Sequence, residues 1–101
     1  MDRSHNKVAD GLADLTMDTR RSWERDFATT LHLDRCNIVV QTDGGLRDGD
    51  CAAAAYVIGL WDGAVYEPLY ACGIFLDVAC TVFTAEAIAL DEATKKMCTL
   101  L

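Results

Sequence analysis

The stretch Cys36–Gly45, CNIVVQTDGG, decides how the rest of the chain is read. Ile38, Val39 and Val40 are β-branched and lead into glycines, the pattern of a buried strand bounded by turn residues. The strand is expected over 36–42, closing on Thr42-Asp43-Gly44-Gly45. A carboxylate at the end of a buried strand, followed by glycines that open the backbone, is a common way to build a metal site. Further along, Thr84-Ala85-Glu86-Ala87 puts a second carboxylate at the start of an apolar helix.

Two more strand-like segments separate these carboxylates. Leu46–Asp50 contains an Asp-Gly pair, a hairpin or loop signal. Residues 51–60 (CAAAAYVIGL) form the second expected strand. Alanine is depleted in strands, so four in a row make sense if a helix or a ligand lies close over them. After a turn at Trp61–Ala64, a third strand is expected over 65–76, where Pro68 marks an edge position or a bulge. Asp77–Phe83 reads as a loop, and Thr81 or Thr84 can cap the helix that follows. Within that helix Glu86, Leu90, Ala93, Met97 and Leu100 share one stripe, expected to face the core. A charged residue heading such a stripe is costly unless it is paired, hydrogen-bonded or on a metal. The other reading places Glu86 just outside the core, where the helix dipole favours it.

Ahead of the central strand, Asn6 can cap a helix whose Val8, Leu12 and Leu15 fall on one face, with Asp10 at its edge. Gly11 weakens that helix by about 1 kcal/mol relative to Ala, and its end is expected near Met17–Thr19. Residues 20–35 read as a linker in which Trp23 and Phe27 make a short helical turn and pack on a small core. The order is helix, three-stranded antiparallel meander, helix. The organisation divides at 1–19, 20–35 and 36–101.

At 101 residues, 51% hydrophobic and 25% charged, the chain has material for one small core. Sixteen acidic residues against nine basic give a net charge of −7. That balance disfavours a general nucleic-acid binder, whose phosphate contacts depend on Lys and Arg, and is compatible with a carboxylate-held divalent cation. The five cysteines are odd in number and lack zinc-ligand spacing, so they read as reduced thiols of a cytoplasmic or nuclear protein. The polar start, MDRSHNKVAD, has no apolar signal region, and no apolar run approaches the roughly 18 residues of a membrane span.

VVQTDGG, the meander and TVFTAEAIALDEA together resemble the first half of a ribonuclease H-like domain, of the kind found in retroelement and plant ribonuclease H-like proteins. The resemblance implies a partial α/β fold of that type and a site in which Asp43 and Glu86 hold Mg²⁺ or Mn²⁺. It also implies cleavage of the RNA strand of an RNA–DNA hybrid, with Glu86 meeting the 2′-hydroxyl. Two ions about 4 Å apart suit such an in-line displacement, and hard cations want oxygen ligands. Asn6-Lys7-Val8-Ala9-Asp10-Gly11-Leu12-Ala13 in turn resembles the family's last helix, N-x-x-A-D-x-L-A, whose Asp completes the metal site. Here this helix precedes the sheet. Either the chain joins the tail of one tandem module to the front of the next, or the domain is permuted and the helix folds onto its own sheet. The absence of the remaining strands favours the first reading.

Departures from the family pattern carry weight. The family's Asp on a fourth strand has no counterpart, Ala52–Ala55 replace a glycine-rich strand, and no basic handle is present. The alternative is therefore a non-catalytic interaction or structural module of a retroelement-type polyprotein. Asp43–Ala54 fails as a calcium loop, because Gly45, Arg47 and Ala54 occupy ligand positions. His5, His32, Ser22 and Cys80 lack partners at catalytic spacing. Arg20, Arg21 and Arg25 alternate with Glu24 and Asp26, and make no compelling basic patch.

Overall fold

The computed structural model describes residues 7–28, 36–47, 51–76 and 81–100. Helix α1 spans Lys7–Thr19, strands β1 to β4 span Trp23–Asp26, Asn37–Arg47, Cys51–Trp61 and Tyr66–Leu76, and helix α2 spans Val82–Leu100. The strands form one antiparallel sheet in the order β1-β4-β3-β2. The architecture is mixed α/β with four strands, one more than the expected meander. The addition is β1, inside the stretch read as a linker. Trp23 is the cause: it is extended opposite Gly73, and its indole Nε1 donates to the buried Thr16 Oγ1 at 2.8 Å. That tie draws the segment onto β4 in place of a helical turn.

Side chains alternate across the sheet, and the two helices take opposite faces. On one face, Cys51, Ala53 and Ala55 of β3 cluster with Ala13 and Met17 of α1. On the other, Tyr56, Ile58 and Leu60 of β3 and Tyr70 of β4 cluster with Ala93 of α2, joined by Val40, Met97 and Leu100. Ala52 through Ala55 are fully buried. The run of small residues thus serves the close approach of helices, as its composition suggested. Pro68 pairs with Gly59 and Tyr70 with Ile58, so Leu69 is the extra residue of a bulge beside the proline.

Both helices are rotated from the faces their larger residues suggested. In α1 the buried positions are Ala9, Ala13, Thr16 and Met17, while Val8 and Leu15 are exposed. In α2 they are Ala85, Ala89 and Ala93, and Leu90 is exposed. The alanines seat the helix backbones closer to the sheet than leucines could. Thr81 is the α2 cap: its Oγ1 accepts from the Thr84 amide at 3.2 Å. Arg20 closes α1 in the left-handed region, at φ 54°, with its amide on the Thr16 carbonyl at 2.9 Å. Asn6, Cys80, both histidines and the Asp48-Gly49 turn lie outside the described residues. Of the other cysteines, Cys51 is buried, Cys36 and Cys72 are half-buried and Cys98 is exposed. Among the described residues no helix is long and apolar enough to cross a membrane.

Candidate functional site

Strand β2 does not stop at Thr42. It continues through Asp43, Gly44 and Gly45 to Arg47, pairing with β3 along its whole length. Asp43 therefore sits within a strand, where its side chain is held more firmly than at a frayed end. The two glycines let helices approach from opposite sides. A Cβ on Gly44 would run into the backbone of Ala85 and Glu86, and one on Gly45 would meet the Met17 Cε at 2.7 Å. Gly44 thus presses the first turn of α2 against β2, and Gly45 accommodates α1.

The consequence is a pair of carboxyls midway along β2, an outer strand of the sheet. Asp10 of α1 is hydrogen-bonded to Asp43, side chain to side chain. Glu86 is close enough for its charge to act on Asp43. Burial pushes the Asp43 carboxyl up to about 6, helped by the hydrogen bond to Asp10, the Asp10 charge and the Glu86 charge, against a lowering hydrogen bond from the Gly44 backbone. Asp10 and Glu86 are themselves exposed. Asp43 and Asp10 are thereby brought together on the α1 face, while Glu86 belongs to α2 on the opposite face and reaches Asp43 through its charge. Glu86 stands on the flank of α2 and does not head its buried stripe, because Ala85 occupies the contact with the sheet.

The cluster is not closed into a ligand set. Among the described residues no group of three His, Cys, Asp or Glu side chains stands close enough to hold a metal ion. Asp10 and Asp43 share a hydrogen bond, and Glu86 acts on Asp43 through its charge. Nearby, Arg47 at the end of β2 is committed to α1, with an ion pair to Asp18 at 2.5 Å and a longer contact to the Asp14 carbonyl at 3.5 Å. That pair helps to pin α1 across β2 and was not legible in the sequence, since Arg47 and Asp18 have no local relation.

A second polar recess, of about 300 Å³, lies between α2 and the β1/β4 side, lined by Glu24, Tyr70, Cys72, Glu92, Lys95 and Lys96. Tyr70 donates to the Glu24 carboxylate, and Lys96 sits 4.1 Å from the centre of the Tyr70 ring. Burial raises both the Tyr70 phenol and the Cys72 thiol, which leaves Cys72 a poor nucleophile. No family model matches the chain, and neither a characterised protein nor a solved structure matches it.

Proposed function

We propose that this chain is a divalent-cation-dependent phosphodiester hydrolase of the ribonuclease H type, acting on the RNA strand of RNA–DNA hybrids. One observation carries the reading: Asp10 is hydrogen-bonded to Asp43 in the same molecule. The helix that resembles the family's last helix lies on this chain's own sheet, as the permuted arrangement requires, and supplies a carboxylate from a third element.

The donor chemistry fits a hard cation. All three candidate groups offer oxygen, and Asp43 retains a proton to about 6 because it is partly buried and, in addition, because a second carboxyl adjoins it. A cation such as Mg²⁺ or Mn²⁺ in place of that proton would relieve the same repulsion. Asp43 and Asp10 would hold it, with Glu86 as the third oxygen donor that the resemblance implies. When bound, such ions activate water and stabilise the leaving oxygen of an in-line displacement. Asp43, fixed within β2, would set the position of the scissile phosphate. Glu86, exposed on its flank, is free to meet the 2′-hydroxyl that distinguishes RNA from DNA.

The test is cleavage of an end-labelled RNA–DNA hybrid with Mg²⁺ or Mn²⁺, by the whole chain and by Asp43→Asn. Cation-dependent cleavage of the RNA strand, lost in Asp43→Asn and in the presence of EDTA, is the expected result. Absence of cleavage with either cation, or cleavage that survives Asp43→Asn, overturns the proposal. A non-catalytic module is the second reading. It is favoured by the net charge of −7 and by the engagement of Arg47 with Asp18, which leaves that cation turned from a nucleic-acid backbone. Failure of the hybrid to bind as well as to react would select it.

A further inference from the structure

Strand β2 is the outer strand of the sheet, and among the described residues nothing pairs with its free edge. It runs for 11 residues without proline or lysine, the usual devices that protect an edge. We propose that this edge, with the flank of α2 above it, is the interface of a symmetric dimer of this chain.

The sequence of β2 is self-complementary when two copies run antiparallel with Thr42 on the two-fold axis. Thr42 then faces Thr42 of the second copy, Gln41 faces Asp43, Val40 faces Gly44, Ile38 faces Leu46 and Asn37 faces Arg47. Polar residues meet polar ones, apolar residues meet apolar or small ones, and no like charges are opposed.

Helix α2 fits the same axis. Its Glu92, Lys95 and Lys96 line the recess on the β1/β4 side, so the opposite flank faces the open edge of β2. That flank carries Phe83, Leu90 and Met97 at seven-residue spacing, a continuous ridge. Phe83 is 76% exposed and Leu90 is 59% exposed, the largest apolar exposures on the helix. Gly44 lies against Ala85 and Glu86. Two residues along the strand, about 7 Å, correspond to between four and five residues of helix at about 1.5 Å each, so Leu90 stands level with Thr42. The two-fold that pairs Thr42 with itself therefore pairs Leu90 with itself and Phe83 with Met97 of the second copy. Paired edges are about 4.8 Å apart, and α2 packs over both β2 and β3. Set inboard by about half a strand spacing, the two α2 helices would lie about 10 Å apart, the distance at which helices pack. Edge hydrogen bonds and an apolar helix pair then share one axis.

The test is sedimentation equilibrium of the full chain over a concentration series reaching the millimolar range, with Leu90→Glu measured alongside and its fold checked by circular dichroism. A mixture of ¹⁵N-labelled and ¹³C-labelled copies then locates the contacts by cross-copy nuclear Overhauser effects. The expected result is a dimer, weakened at least about tenfold by Leu90→Glu, with cross-copy contacts at Thr42 and Leu90. A chain that is monomeric throughout overturns the proposal. So does a dimer that Leu90→Glu leaves intact, or one whose cross-copy contacts fall elsewhere, such as on the exposed Val8 and Leu15 of α1.

Discussion

The carboxyl of Asp43 in β2 is hydrogen-bonded to that of Asp10 in α1, and this one contact ties the first helix to the centre of the candidate site. Burial disfavours the charged form of the Asp43 carboxyl, and the adjoining Asp10 carboxyl disfavours it further. Asp43 accordingly retains its proton to about 6, against an ordinary 3.8. The direction fixes a stability effect. The unfolded chain releases this proton near the ordinary value, while the folded chain keeps it until about 6. Across that window the folded state binds more protons, so stability falls as pH rises and levels off above it. The Asp43 side-chain carboxyl carbon, followed by NMR, should titrate near 6. Asp10→Asn should move the midpoint toward 3.8, and so should saturating Mg²⁺, which competes with the proton. An Asp43 that titrates at its ordinary value in the parent chain would show that the two carboxyls do not interact.

Gly44 and Gly45 are adjacent and chemically identical, yet their substitution should have opposite consequences. A Cβ on Gly44 meets the Ala85 carbonyl carbon at 2.7 Å, and the α2 backbone cannot give way without leaving the sheet. A Cβ on Gly45 meets the tip of the flexible Met17 side chain. Gly44→Ala should lower stability by about 1–3 kcal/mol, the range for overpacking a close contact, while Gly45→Ala should cost less than about 1 kcal/mol. Urea unfolding of the two variants makes the comparison. Equal losses would mean that α2 does not rest on Gly44.

The two glycines also show how far this fold was legible. Alternation, turn residues and a capping threonine were enough to find β2, β3, β4 and α2. β1 was missed because its cause is not local: Trp23 is extended by an acceptor on α1 and by the glycine opposite it. The helix faces were legible in part: Leu12, Ala93, Met97 and Leu100 pack on the core as their spacing suggests, while Val8, Leu15 and Leu90 stay exposed. The contact surface is centred on alanines that let backbones approach. The candidate carboxylates were recognisable as types. That Asp10 would reach Asp43 depended on whether α1 folded onto this sheet, which Ala13 and Met17 decide through contacts with β2 and β3.

Trp23 offers a direct test of why β1 exists. Its indole donates to Thr16 Oγ1 at 2.8 Å, and Thr16 is fully buried. Gly73 provides the room: a Cβ there would overlap both the Thr16 hydroxyl and the indole. Thr16→Val keeps the shape and leaves the indole N–H without its acceptor, which should cost about 1–3 kcal/mol. Amide exchange should accelerate first in Trp23–Asp26 and their β4 partners, with β2 and β3 unaffected. Uniform loss of protection across the sheet would mean that β1 is not held by this bond.

Ala53 links packing to the site. It is fully buried and belongs to the cluster that seats Ala13 and Met17 of α1 on the sheet. Leucine at this position has no space between β3 and α1, and overpacking of this kind costs about 1–3 kcal/mol. The strain should be relieved by displacement of α1, the smaller of the two helices, since β3 is held between β2 and β4. Displacing α1 draws Asp10 from Asp43. Ala53→Leu should therefore show two effects together: a lower melting temperature and a fall in the Asp43 midpoint from about 6 toward its ordinary value. Ala52→Leu, on the opposite face of the same strand, serves as the control, because it should destabilise the fold while the Asp43 midpoint stays near 6. If both variants shift the Asp43 titration equally, the change reports general loosening of β2, and α1 is not what holds the two carboxyls together.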